Sequence, residues 1–152
     1  MTTKTADKLI EEALDYVKEG EYEHALRLFY LCEEEATQNP LFCEGKATAL
    51  FCTYDKSGEL NLRIAEEIIT LYKQALELDP QQADPPYLML GMTYKRKAEL
   101  EVRKRPYDLN VVETLLLAEE TLRKALVVDG SLNLPELDDI VHKIGLYRGR
   151  MH

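Results

Sequence analysis

The sequence predicts an all-α protein, and three observations carry that reading. Apolar residues return every three or four positions along almost the whole chain, the period of an amphipathic helix. Asn39-Pro40, Asp84-Pro85 and Asp129-Gly130 punctuate this rhythm at intervals suited to helices joined by short turns. No stretch shows the in-out alternation of a half-buried strand.

The first helix carries its stripe through Ala6, Leu9, Ile10, Ala13, Leu14 and Val17 and closes at Gly20. Tyr22, Ala25, Leu26, Phe29 and Cys32 line the second, which ends near "TQNP". There Asn39 is placed to cap a third helix with Pro40 at its first position, where the missing proline N–H does no harm. Ala65, Ile68, Ile69, Tyr72, Ala75 and Leu76 make the fourth, stopping at "ELDP". Asp84 and Pro85 repeat the cap-and-proline device and predict a fifth helix running to Arg105. The sixth follows Val111, Leu115, Ala118, Leu122, Ala125 and Leu126 to "VVDG", and a last one starts at Pro135 through Leu137, Ile140, Val141, Ile144 and Tyr147.

The composition bounds the function. A chain of 152 residues fits one domain, and its net charge of −9 argues against a general nucleic-acid or anionic-membrane binder. No apolar run approaches the roughly 20 residues that span a bilayer, so no membrane partner is expected. The opening "MTTKTADKLIEEALDY" is polar and acidic rather than signal-like, which predicts a cytoplasmic or otherwise intracellular protein. Cys32, Cys43 and Cys52 lack the paired spacing of a zinc site and read as reduced thiols. His24, His142 and His152 lie far apart, the Glu33–Glu35 run reads as a solvated helix face, and no nucleophile, phosphate-loop or metalloprotease motif is present. No catalytic residue, metal or cofactor is therefore expected, and the chain reads as a non-enzyme.

Internal repetition sharpens the architecture. "ATALFCTYDKSGEL" (Ala47 to Leu60) aligns with "YLMLGMTYKRKAEL" (Tyr87 to Leu100) at an offset of 40 residues, and "YKQALELDP" (Tyr72 to Pro80) aligns with "LRKALVVDG" (Leu122 to Gly130) at 50. One helical hairpin is written more than once, the last copy with extra residues between its helices. Tyr87, Leu90, Gly91 and Tyr94, followed by Ala118, Leu122 and Ala125, resemble the two helices of a tetratricopeptide repeat. Leu9, Ala13, Tyr16, Gly20, Tyr22, Ala25 and Phe29 resemble it in the first pair, and Leu50, Tyr54, Tyr72, Ala75 and Pro80 in the second.

The resemblance implies a single domain over 1–152: a right-handed superhelix of three antiparallel hairpins, near 5–38, 40–80 and 84–130, with a capping helix near 134–150. It also explains a glycine inside a helix, a placement that costs roughly 0.5–1 kcal/mol relative to alanine. In this family the small residues of paired helices face one another, which would set Gly91 against Ala118 and Ala13 against Ala25. Phe51 and Ile68 hold those places in the second pair and are too large, so that hairpin must splay, slip in register, or use Gly45, Ala47 and Ala49 instead.

By the same resemblance, a peptide-binding wall is made by Ile10 and Leu14, Thr48 and Cys52, and Leu88 and Met92, with Lys56, Lys95 and Arg96 as a basic rim. Such a wall is apolar and, through its sulfur atoms, adaptable. The positions that would clamp a chaperone's C-terminal carboxylate hold Ile10, Leu14, Gly45 or Thr48, Pro85 and Met89, so that ligand is disfavoured. Residues 81–105 carry six basic and three acidic side chains, net +3, against −12 for the remainder. Lys95, Arg96, Lys97, Arg103, Lys104 and Arg105 thus form a basic arm, read either as a docking element for an acidic protein segment or as a solubilising extension. No aromatic platform is interleaved with these charges, which disfavours nucleic acid. The expected function is a protein-binding adaptor or chaperone-like module. A structural subunit or self-associating scaffold, and a small secretion-type chaperone, are the alternatives.

Overall fold

The computed structural model describes residues 5–106 and 108–150; the terminal His152 lies outside them. Among the described residues there are seven α-helices and no strand: α1 (Ala6–Lys18), α2 (Tyr22–Ala36), α3 (Pro40–Ser57), α4 (Leu62–Leu78), α5 (Tyr87–Lys104), α6 (Leu109–Val128) and α7 (Pro135–Arg150). None of them is long and apolar enough to cross a membrane. The chain gathers into two compact units. One runs through Leu60 and resumes over Glu67–Gln82; the other takes Asn61–Glu66 and everything from Ala83 onward.

Local chemistry sets the helix boundaries. Asn39 accepts the Leu41 N–H at 2.9 Å with Pro40 opening α3, as its sequence signature predicts. Thr5 caps α1 through Lys8, Asn61 accepts from Ile64 at the start of α4, and Asp108 accepts from Asn110 at the start of α6. Gly20 and Gly58 end α1 and α3 at φ of 79° and 77°, a left-handed turn that would strain other residues by about 1–2 kcal/mol. The fifth helix departs from expectation. It starts at Tyr87 rather than at Pro85, and Pro86 in the cap position makes no side-chain cap bond. A proline disfavours helical backbone in the residue before it, so Pro86 keeps Pro85 out of the helix and the Asp84 cap is never used.

In the first unit α1 packs against α2, and both meet α3. Ala13 and Ala25 are fully buried, while Phe29 and Phe42 meet edge to face with centroids 5.5 Å apart. Gly45 lies so close under Leu14 and Phe29 that a Cβ there would fall 2.7 Å from each. The small residue of α3 thus serves packing against the preceding hairpin.

In the second unit α5 packs along α6, and α7 packs on α6. Gly91 is buried in α5, but its nearest neighbours belong to Leu122, one turn beyond the expected Ala118. The Leu122 backbone nitrogen stands 3.2 Å from where a Cβ would be. Close approach of the two helices explains the glycine, and the isobutyl group of Leu122 fills the space that a side chain would take.

Candidate functional site

The wall residues expected from sequence fare differently in the two units. In the first, Ile10 is 3% exposed and belongs to the core, so it is removed from the wall. Burial follows from its register: it lies on the same stripe as Ala13, which α1 turns toward α2. Leu14 is half-buried, with its δ-methyl over Gly45. Thr48 is tied to Tyr72, the two hydroxyls 2.7 Å apart. Burial pushes the Tyr72 phenol well up, against the Thr48 hydrogen bond that favours its ionised form. Cys52 is half-buried beside Tyr22, whose phenol is raised first by the hydrogen bond to that thiol and then by its charge. Lys56 is exposed near the end of α3.

In the second unit Leu88 and Met92 are half-buried on α5. Steps of four, three, four and four residues place Leu88, Met92, Lys95, Glu99 and Arg103 on one face of that helix. Lys95 bonds Glu99 at 2.8 Å and reaches Asp139 of α7 at 3.7 Å; Arg96 also bonds Glu99, and Lys97 pairs with Glu66 of α4. Burial works against the charged form of Glu99, but the hydrogen bonds from Lys95 and Arg96 outweigh it and hold the carboxyl below its usual range. The Lys143 hydrogen bond holds Asp139 low and is itself the main reason that Lys143 is raised.

The basic arm therefore divides. Lys95, Arg96 and Lys97 are committed to carboxylates, so they do not make a free rim. Arg103, Lys104 and Arg105 are exposed, and among the described residues none of the three forms an ion pair. The division follows from register and length: the first trio lies beside α4 and α7, where acidic residues are within reach, whereas the second ends α5.

One residue escaped the sequence reading. Lys46 in α3 is 3% exposed yet charged, with its ammonium on Glu33 of α2, 3.4 Å from Glu67 of α4 and 5.0 Å from the Tyr30 ring centre. Burial works against the ammonium; the Glu33 hydrogen bond and the charges of Glu33 and Glu67 outweigh it and raise its pKa. The available signal was the helix itself. "PLFCEGKATALFC" is apolar nearly all round, as in a helix covered on most sides, so a lysine inside it needs buried partners.

Among the described residues, no group of three histidines, cysteines or acids is close enough to hold a metal ion. His24 stacks on Tyr16 with centroids 5.4 Å apart, and His142 is exposed on α7. Cys32 and Cys43 are buried, and burial pushes both thiols up, away from the reactive thiolate.

Neither a model of a known protein family nor any curated protein matches the chain.

Proposed function

We propose that the chain is a protein-interaction module of the adaptor or chaperone-like kind, built from tetratricopeptide-like hairpins with α7 as the closing helix, and acting without a catalytic step. The observation that carries this reading is on α5. Leu88 and Met92 stay partly open to solvent on the face that leads to Arg103, and Arg103, Lys104 and Arg105 keep uncommitted charge at the helix end. An apolar anchor with free cations about 16–22 Å further along the same helix suits a partner segment that is apolar with an acidic flank. Anchors of this kind commonly contribute about 2 kcal/mol or more each, while rim charges act mainly on the rate of association.

The test compares two variants for capture of binding partners and for association kinetics. Leu88→Glu with Met92→Glu should abolish capture and speed dissociation. Reversal of Arg103, Lys104 and Arg105 to glutamate should slow association, with an effect that fades as salt screens charges beyond about 8 Å. Unchanged capture by a folded Leu88→Glu, Met92→Glu variant overturns the reading. A second reading, self-association, is favoured by exposed apolar side chains on α7, where Val141 and Leu146 are 43% and 44% exposed. A concentration-dependent dimer in sedimentation would support it.

A further inference from the structure

The second unit contains a cavity of about 220 Å³ whose apolar floor the interaction role leaves unused. It lies where α7 packs on α6, with α5 closing the third side. Ala98 and Val102 of α5, Val111 and Leu115 of α6, and Ile140 of α7 give it an apolar floor. An apolar cavity of about 150 Å³ suffices to take up benzene, so a body of about six carbons has room here. The mouth is charged. Lys95, Glu99 and Arg103 stand on the α5 side, Asp139 and Lys143 on the α7 side.

Four of those five charges are already satisfied. Lys95 bonds Glu99 at 2.8 Å and lies 3.7 Å from Asp139, and Lys143 holds Asp139 at 3.0 Å. Arg103 is the exception: it pairs with no described residue, and it stands one turn beyond Glu99 at the cavity's edge. Three cations against two anions leave the mouth net positive. A neutral ligand would gain only weaker hydrogen bonds from Arg103, and a cationic one would be repelled. A planar carboxylate would meet a guanidinium fork that matches it with two hydrogen bonds.

The geometry points to a binding site for a small organic acid, its apolar body seated against Val102, Leu115 and Ile140 and its carboxylate held by Arg103. The site is complete within the second unit and does not rest on the partner-binding role. Each can therefore fail without the other.

The test uses cyclohexanecarboxylate as probe and cyclohexanecarboxamide as its uncharged counterpart, titrated into the full chain and followed by amide chemical shifts. The acid should saturate with shifts confined to α5, α6 and α7, and should bind at least about tenfold more tightly than the amide. Arg103→Gln, a surface change, should remove that preference and weaken the acid far more than the amide. Val102→Phe should fill the cavity and abolish binding of both. The proposal is overturned if the acid gives no saturable shifts up to about 10 mM. It is equally overturned if acid and amide bind alike, or if Arg103→Gln leaves the acid's advantage intact.

Discussion

Replacing Gly91 by alanine sets two effects of opposite sign against each other. In a helix interior alanine is favoured over glycine by about 1 kcal/mol, so an unconstrained site would gain stability. At Gly91 the new Cβ would lie 2.6 Å from Leu122 Cδ2, 2.7 Å from its Cγ and 3.2 Å from its backbone nitrogen. Attractive carbon–carbon contact needs about 3.5–4.0 Å. Turning a methyl does not relieve the Cγ contact, because Cγ is the branch point of a fully buried side chain. The nitrogen is fixed by α6 itself. Overpacking of this kind costs about 1–3 kcal/mol, so Gly91→Ala should destabilise by about 1 kcal/mol net. Gly145 in α7 supplies the control, since nothing lies within 4 Å of its Cβ position and Gly145→Ala should stabilise by up to about 1 kcal/mol. The two variants should then differ by roughly 4–8 °C in Tm, measured by far-UV circular dichroism. In a Leu122→Ala background the two side-chain contacts are gone and only the 3.2 Å backbone contact remains, so the penalty of Gly91→Ala should largely disappear. If Gly91→Ala stabilises the wild-type chain as much as Gly145→Ala does, close approach of α5 and α6 is not why the glycine is there.

Two further outcomes follow from the ion pairs. Lys46→Met keeps the buried stem but strips Glu33 and Glu67 of their cation; because both carboxylates are about half exposed, urea unfolding should show a loss of about 1–2 kcal/mol rather than the 3–5 kcal/mol of a fully buried broken pair. Adding Glu33→Gln and Glu67→Gln should recover part of that loss, and a neutral Lys46→Met would refute the electrostatic account. Glu99 and Asp139 are held below the usual carboxylate range, so their contribution is present above about pH 5 and is lost as pH falls through their folded values. Stability measured from about pH 6 down to about pH 2 should therefore fall less steeply for Glu99→Gln with Asp139→Asn than for wild type, and parallel curves would exclude these two groups as the source.

Much of the helical framework was legible because its signals are local. The Asn39-Pro40 start of α3 and the glycine stop of α1 need only neighbouring residues to be read. The start of α5 was misplaced although its cause is also local, since the effect of Pro86 on Pro85 outweighs the Asp84 cap. Gly91 was recognised as a close-approach site, but its neighbour was assigned one turn short, because helix register within a pair depends on the bulk of Leu122 as well as on the small residues. For the candidate site, Leu88 and Met92 were named through the family resemblance and are half-buried, whereas Ile10 is buried by the packing of α1 on α2. The pairing of Lys95 with Asp139 and of Lys46 with Glu67 joins residues 44 and 21 positions apart, a distance over which charge patterning along one helix is silent.

The glycines of α7 bear on how that helix behaves over time. Leu137, Ile140 and Ile144 are its buried side chains, and Gly145 and Gly149 come after them with open space around both. Beyond Ile144 the helix is thus held by little side-chain burial while it carries two residues that favour the unfolded chain, each by about 1 kcal/mol. Its final turns are therefore expected to open more often than its first ones, and native-state hydrogen exchange should show the amide protons after Ile144 exchanging before those of the first turns. Fraying of that kind would present the C-terminal segment as a small ensemble, from which a binding event can select one conformer.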